Sequence, residues 1–518
     1  MHETTLRVPA RAARALVLAA VFACAACGLV YELALVALGS YLVGNSVTQA
    51  SIVLSVMVFA MGVGSLAAKP LQSRPVAAFA IVEAALALLG GLSVLALYAA
   101  FAWLNLYVPA LVVVAFLVGA LIGAEIPLLM TLLQRIRRQD AGSAVADLFA
   151  ADYVGALIGG LAFPFVLLPA FGHIKGALLV GVVNAVAGMA VVLWLFRRQV
   201  GRAARTGLWT GMAAVLLVLG GTYVLADGFE VSARQALYRD PITLSKRTPY
   251  QEIVLTRRLG LSGRPDLRLF LNGDLQFSSV DEYRYHESLV HPALSAARGK
   301  VLILGGGDGL ALREVLRYKD VRSATLVELD PEMIRLARTH REIADLNQRA
   351  FDDPRVRTVT ADAFSWLRGR TERYDSIIVD MPDPDDVATA KLYSVEFYGL
   401  VKRILAPHGR MVVQSGSPYF APKSFWCIEK TIREAGFATN PYHVDVPSFG
   451  DWGYVMAQAG AEPELKLAAD TPDLRFLDAD VLRAATVFGK DLRHRDVDVN
   501  TLIHPRLVDY EGGEWRNS

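Results

Sequence analysis

The sequence predicts an N-terminal all-α transmembrane helix bundle joined to a soluble half, a small β-hairpin domain followed by an α/β domain. Three observations carry this. The hydrophobic fraction of 54% is unevenly spread: up to about residue 226 nearly every position is Ala, Leu, Val or Gly, and charges become frequent only afterwards. Leu267-Arg268-Leu269-Phe270-Leu271 followed by Asn272-Gly273 is a hairpin signal. From Lys300 onward, short apolar strands alternate with helical segments, the pattern of an open, mostly parallel, doubly wound sheet. At 518 residues the chain exceeds one compact domain. The expected division is 1–226 for the multi-pass region, 228–296 for the β-strand subdomain, 297–460 for the Rossmann-like domain and 461–518 for a C-terminal appendage, partly helical near Asp478 to Phe488.

A membrane-crossing helix needs about 20 apolar residues. Such stretches fall near 13–38, 48–68, 76–99, 106–130, 152–172, 174–196 and 207–226, about seven spans, with Pro164, Pro169 and Gly172 interrupting the fifth and sixth. Basic residues collect at Arg7, Arg11 and Arg14, at Lys69 and Arg74, at Arg135, Arg137 and Arg138, and at Arg197, Arg198, Arg202 and Arg205. The alternate loops near 39–47 and 100–105 carry no Lys or Arg, so the positive-inside rule places the N-terminus and the basic loops in the cytoplasm of a cell (inner) membrane. An odd count of spans then puts the segment after 226 outside; a count changed by one puts it inside.

Four acids fall within the expected spans: Glu32, Glu83, Glu125 and Asp152. Charges at membrane depth face a bundle interior or a polar pathway, pair with tyrosines such as Tyr31 and Tyr153, or sit nearer the interface. Cys24 and Cys27 form a CxxC pair inside an apolar run with no second ligand pair, which reads as small buried residues rather than a metal site. The net charge of +2, with no face-long basic run, gives no sign of nucleic-acid binding.

The chemistry lies after Lys300. Val301 to Leu304 reads as a buried strand, followed by the turn Gly305-Gly306-Gly307-Asp308-Gly309, where glycines admit a ligand to the backbone. The next strand, Ala324 to Val327, ends at Glu328 with Asp330 two residues on, placed to accept hydrogen bonds from ribose hydroxyls. A third acid, Asp362, precedes Ala363. No Lys or Arg accompanies the glycines, which favours an S-adenosyl ligand over a dinucleotide. Asp308 would repel the carboxylate of ordinary S-adenosylmethionine and attract the bare ammonium of its decarboxylated form; it also suits a helix N-cap. The strand Ser376 to Val379 delivers Asp380-Met381-Pro382-Asp383-Pro384. Paired carboxylates there can bind a protonated amine, with Asp380 as general base and Asp383 orienting. A sulfonium leaving group needs no metal. Upstream, Gln276, Asp281, Tyr285, His286 and Glu287 offer acid and aromatic surface suited to a polyamine; core packing for Tyr285 and a surface position for His286 are equally compatible with the spacing.

These runs together resemble the spermidine synthase family of polyamine aminopropyltransferases, in a membrane-fused multi-pass branch. The resemblance extends from Tyr250-Gln251 to about Tyr419. It rests on Leu271-Asn272-Gly273-Asp274-Leu275-Gln276, Asp281 to Glu287, Leu304 to Glu314, Val327-Glu328-Leu329-Asp330 and Asp380 to Pro384, in that order. It implies a Rossmann-like domain of the S-adenosylmethionine-dependent transferase type. Gln251 and Glu328 would hold the nucleoside, Asp362 and Ala363 would lie at the adenine, His286 and Asp308 would line the aminopropyl and amine path, and Asp380 would accept the proton. The implied reaction transfers an aminopropyl group from decarboxylated S-adenosylmethionine, a co-substrate rather than a cofactor, to putrescine, giving spermidine and methylthioadenosine. The implied partners are these two substrates and the lipid bilayer, with no nucleic acid and with homo-oligomer formation open. Where the soluble enzymes have a Gly-Pro loop after the paired acids, this chain has Asp385-Asp386-Val387-Ala388. Two other readings are a methyltransferase using S-adenosylmethionine, against which Asp308 argues, and a membrane polyamine transporter or sensor, which the intramembrane acids motivate.

Overall fold

The computed structural model describes residues 9–43, 46–104, 106–136, 141–196, 200–238, 240–259, 263 and 265–514. Of the loop arginines expected from sequence, Arg7, Arg137, Arg138, Arg197 and Arg198 lie outside these residues, as does the Arg135 side chain. The chain divides into two compact units, Met1–Arg239 and Asp240–Ser518.

The first unit consists of helices α1 (Ala10–Val43), α2 (Ser46–Ala67), α3 (Pro75–Ala99), α4 (Tyr107–Ile136), α5 (Ala141–Ala162), α6 (Leu168–Met189) and α7 (Arg202–Tyr238). Among the described residues six helices are long and apolar enough to cross a membrane, and one of them, Val145–Met189, runs for 45 residues. At a rise of about 1.5 Å per residue that is far more than one bilayer crossing. Its two limbs, α5 and α6, meet at a kink where Gly172 takes φ 69° and ψ −172°, a conformation open to glycine but not to an L side chain. Contacts fix their directions. Gly155, Gly159 and Gly160 of α5 lie against Phe22, Ala26 and Leu29 of α1, so these helices run parallel. Gly181 and Gly188 of α6 lie against Ala87 and Glu83 of α3, so these run antiparallel. Gly90 beside Tyr31, and Glu83 beside Cys24, make α3 parallel to α1. The chain therefore reverses between α5 and α6, so the Val145–Met189 helix holds two limbs of opposite direction, and six long apolar helices stand among the described residues where about seven spans were expected. The last helix continues beyond the apolar stretch to Tyr238, because helix propensity does not end where apolarity does.

Of the four acids in the spans expected from sequence, Glu83 and Glu125 are buried whereas Glu32 and Asp152 are half-buried. Pairing with tyrosine does not account for them: the buried Tyr31 hydroxyl makes no hydrogen bond, and Tyr153 is exposed.

The second unit opens with a four-stranded antiparallel meander, β1 (Ile242–Arg247), β2 (Glu252–Leu259), β3 (Pro265–Leu271) and β4 (Asp274–Ser278). The expected hairpin turn is present, with positive φ at both Asn272 and Gly273. Ile253-Val254-Leu255 shows no alternation because β2 is an inner strand of the meander and these three residues are buried in succession. A seven-stranded sheet follows: β5 (Lys300–Gly305), β6 (Ser323–Glu328), β7 (Val356–Thr360), β8 (Tyr374–Asp380), β9 (Leu405–Gln414), β10 (Ala438–Val446) and β11 (Gly450–Gln458). Its order is β10-β11-β9-β8-β5-β6-β7, with β5 to β9 parallel and β10–β11 an antiparallel hairpin at one edge. The order reverses between β5 and β8, which opens a crevice at their carboxyl ends, where doubly wound sheets bind ligands. Two apolar layers cover the sheet, one centred on Leu289, Leu312 and Leu326, the other on Phe397, Val401 and Phe425.

The segment after 460 is a strap along this unit. Arg298 pairs with Asp470 and Asp320. Asn500 Nδ2 donates to the carbonyls of Ala390 at 2.9 Å and Tyr393 at 3.1 Å. Its helices are Ala479–Ala484 and Arg506–Glu514.

The glycine contacts on α5 make a stability prediction. A Cβ on Gly155 would come 2.2 Å from the carbonyl oxygen of Phe22. Gly155→Val should therefore separate α5 from α1 at a cost of about 1–3 kcal/mol. It is expected to lower the detergent-solubilised melting temperature, whereas Gly211→Val, which meets open space, should leave it unchanged.

Candidate active site

The crevice is built on backbone contact. In the parallel register of β5 and β8, Gly305 stands opposite Asp380. Gly305 takes φ 85°, and a Cβ there would lie 2.0 Å from the Asp380 carbonyl oxygen, an approach only glycine permits. The Gly306 amide donates to that same carbonyl at 3.0 Å. On the other side, a Cβ on Gly307 would lie 2.7 Å from Glu328 Oε2. The glycine turn is thus wedged between the ends of β8 and β6, and it brings Asp380, Asp308 and Glu328 around one space. Asp308 is not the N-cap, which is Gly309, but stands one residue before it and accepts from the Leu310 amide at 2.9 Å.

Helix Glu282–Val290 supplies the aromatic side. Tyr285 is buried and its hydroxyl donates to Asp380 Oδ1 at 2.6 Å. The ring is held among Phe449, Trp452 and Tyr454, the last donating its hydroxyl to the Tyr285 carbonyl at 3.2 Å. Next to it His286 is 2% exposed, which overturns a surface position for this residue. Its Nδ1 faces the Glu282 carbonyl at 2.8 Å and the Glu282 carboxylate at 3.0 Å. That carboxylate takes both Nη atoms of Arg313 at 2.9 Å. Arg313 Nε in turn donates to Glu314 at 2.8 Å, and Glu314 meets His291 Nε2 at 2.9 Å. His291 Nδ1 ends the chain at the Tyr318 hydroxyl, 2.8 Å away.

These neighbours set the proton affinities. Burial works against a charged His286, but Glu282, then Asp308 and Asp380, more than compensate and raise its pKa. Glu314 is drawn down to about 2, because His291 and Arg313 outweigh its burial. Burial, reinforced by repulsion from Asp308, pushes Asp380 up to about 6, although His286 and the Tyr285 hydroxyl hold it back. Asp308 is raised chiefly by burial, and Asp383 by burial and then by Asp385.

Toward β6, burial pushes Glu328 up to about 7, with Asp330 adding repulsion. Asp330 is a buried hub: it accepts from the Glu332 amide at 3.0 Å, from Thr248 Oγ1 at 2.8 Å and from Gln251 Nε2 at 3.0 Å. Gln251 therefore reaches the Glu328 side of the crevice from the meander. Asp362 caps the helix that begins at Ala363, accepting from Ser365 at 2.8 Å. Burial opposes its charge, but Lys391, 2.9 Å away, and Ser365 hold its pKa below the ordinary value. Asp383 is half-buried and takes a bond from Gln414 Nε2 at 3.2 Å. Gln414 and Tyr393 also bind the Met381 carbonyl, which fixes the loop after β8. Beyond it, Asp386 and Thr389 cap the short helix Val387–Ala390 with reciprocal hydrogen bonds, the local form of the departure from a Gly-Pro loop.

Not every upstream residue joins the crevice. Gln276 Nε2 donates to the Asp274 carbonyl at 3.3 Å within its own hairpin. Asp281 is occupied by the Ser448 amide at 2.7 Å and hydroxyl at 2.9 Å. Glu287 is buried and accepts the amides of Arg475, Phe476 and Leu477 at 2.8, 2.9 and 3.0 Å, so it anchors the strap instead of presenting charge to an amine. Sequence reasoning missed Trp452, Tyr454, Gln414 and Lys391, which belong to later strands and helices with no local motif. It passed over Glu282 and Arg313 although both lie inside the runs that carry the resemblance.

A doubly wound sheet with a glycine turn and carboxylates on adjoining strand ends defines the class: an α/β domain with a ligand crevice at its switch point. Residues 282–469 match the spermine/spermidine synthase domain. Polyamine aminopropyltransferase 1 of Streptomyces coelicolor is 66% identical over 98% of this chain and 96% of its own length. The polyamine aminopropyltransferase of Mycobacterium tuberculosis is 50% identical over 97% of each chain. A solved spermidine synthase in complex with the transition-state analogue AdoDATO is 26% identical with a TM-score of 0.44, covering 48% of this chain and 86% of that one. The chain belongs to the polyamine aminopropyltransferase family, and it is an aminopropyltransferase.

The buried ionic chain predicts a stability effect. Arg313→Met would leave Glu282 and Glu314 with an uncompensated buried charge, a change that costs about 3–5 kcal/mol. Thermal melting of the full-length protein should show a lowered transition, and Arg335→Met, at an exposed pair, should not shift it.

Proposed function

We propose that the enzyme transfers the aminopropyl group of decarboxylated S-adenosylmethionine to putrescine, giving spermidine and methylthioadenosine, as a multi-pass protein of the cell membrane. The observation that supports this most is the Tyr285–Asp380 hydrogen bond at 2.6 Å, beside Asp308 and the glycine turn. It sets a carboxylate with a pKa of about 6 at the place where a doubly wound sheet receives its second substrate.

In this reading Glu328, backed by Asp330 and Gln251, takes the ribose hydroxyls, and Asp362 and Ala363 border the adenine. Asp308 and Asp383 attract the cationic ends of the two substrates, and Tyr285 with Trp452 bounds the aliphatic path. The ammonium of the diamine passes a proton to Asp380. The freed nitrogen lone pair forms an N–C bond to the methylene carbon next to the sulfonium, and the C–S pair returns to sulfur. Methylthioadenosine leaves neutral, and Asp380 then releases its proton to water. His286, held cationic by Glu282, keeps Asp380 ionised near neutral pH.

Full-length protein in detergent, given putrescine with either donor and read by mass spectrometry, should yield methylthioadenosine and spermidine from the decarboxylated donor alone. S-adenosylhomocysteine would make it a methyltransferase, and no spermidine with another amine consumed would overturn the acceptor. Asp380→Asn should cut turnover by at least about 10²-fold while leaving nucleoside binding intact.

The pH dependence has a definite sign. Base catalysis by Asp380 should fail as pH falls through about 6. The Tyr285 hydroxyl stabilises the carboxylate, so Tyr285→Phe should move this acid limb to higher pH. A limb that stays in place would remove Asp380 as its origin.

A further inference from the structure

Within the first unit four helices bring polar side chains to one buried point. Cys24 on α1, Glu83 on α3, Glu125 on α4 and Asn184 on α6 are 1%, 0%, 5% and 0% exposed. Cys24 Sγ lies 3.4 Å from Glu83 Oε1. One ligand atom from each of Cys24, Glu83 and Glu125 falls within 4.8 Å of the others. Only the first cysteine of the CxxC pair takes part, because Cys27 Sγ turns to the Val180 carbonyl, 3.7 Å away.

The second observation is independent of the acids. Asn184 is fully buried, and neither its Oδ1 nor its Nδ2 has a hydrogen-bond partner. It lies one turn before Gly188, whose Cβ position is 2.7 Å from Glu83, so both face the same acid. Glu83 Oε2 and Glu125 Oε1 are likewise unpartnered. Among the described residues no Lys or Arg pairs with either acid. Unmatched polar atoms at membrane depth are costly, so their convergence from four helices points to a shared ligand.

Geometry and charge select its class. Bond lengths of about 2.3 Å to sulfur and 2.0 Å to oxygen put tetrahedral ligand atoms about 3.5 Å apart, close to the Cys24–Glu83 separation. A thiol with carboxylate and amide oxygens suits a borderline divalent cation better than Mg²⁺ or Ca²⁺, which take oxygen alone. Two carboxylates, the Cys24 thiolate and one divalent cation sum to a net charge of −1, far less than the three negative charges would carry without the metal. We propose that Cys24, Glu83, Glu125 and Asn184 form an intramembrane site for a divalent transition-metal cation of the zinc class, clamping α1, α3, α4 and α6. Binding would displace the protons carried by the carboxyl and thiol groups to the solvent. The site belongs to the bundle and does not depend on the acceptor chosen by the transferase.

The test uses full-length protein in detergent, stripped by chelator and dialysed against Co²⁺ or Zn²⁺ alone. About one Co²⁺ per chain is expected, with a near-ultraviolet thiolate-to-cobalt band that Zn²⁺ displaces. Cys24→Ser should lose the band, and Glu83→Gln and Glu125→Gln should each weaken binding by at least about tenfold. Zn²⁺ should raise the melting temperature of the wild type and not of these variants, all of which should retain aminopropyl transfer as a check on folding. If a variant fails that check, the wild-type band and its displacement decide the matter. Wild-type protein that retains neither metal, or that binds Co²⁺ without a thiolate band, overturns the proposal. A cluster that carries protons only would give that result.

Discussion

Everything in the catalytic unit turns on how closely two backbones approach at Gly305 and the Asp380 carbonyl. With no Cβ at Gly305, β5 can end against β8, and the Gly306 amide can bond the same oxygen. Any side chain there would push the strand ends apart. The distance between the nucleoside side at Glu328 and the carboxylate at Asp380 would change with it. Glycine's conformational cost is accepted at this position because the alternative is a wider crevice.

A second layer stands behind that contact. Helix Glu282–Val290 presents Tyr285 and His286 to Asp380, and the helix is held by Glu282 to Arg313, on the helix that follows the glycine turn. The ionic chain from His286 to Tyr318 thus couples the two segments whose separation defines the crevice. Buried ion pairs add little net stability against apolar packing, but leaving one partner alone is costly. Such a chain fixes a geometry more than it strengthens a fold. Its electrostatic consequence is local: Glu282 favours positive charge on His286, and that charge offsets the repulsion between Asp308 and Asp380.

The membrane unit follows a different rule. In hydrocarbon there is no hydrophobic drive between helices, so close packing at small residues sets their arrangement. Glycines of α5 and α6 let the backbone, Leu29 and Glu83 of α1 and α3 approach closely, and Gly172 lets the chain double back. The strap after residue 460 is a third case. It is held by hydrogen bonds to Glu287, Tyr393 and Ala390 and by scattered apolar residues, Leu477, Leu482 and Leu507 among them, that enter the two apolar layers without a regular period.

The sequence by itself determined the two-part architecture, the hairpin at Asn272-Gly273, the parallel core strands and the carboxylates at their ends. Each of these is a local pattern: an apolar run, a turn dipeptide, or an acid following a strand. Strand β7 was not legible because Val356-Arg357-Thr358-Val359-Thr360 is a half-exposed edge without clean alternation. The bond from Tyr285 to Asp380 spans 95 residues and that from Cys24 to Glu83 spans 59. No spacing rule reaches so far. Residue type announced an acid or an aromatic, but His286 could equally have been on the surface and Glu287 in the pocket. Which of them met a substrate crevice and which met a backbone amide was decided only by tertiary structure, since burial and hydrogen-bond partners depend on neighbours that the chain brings together by folding.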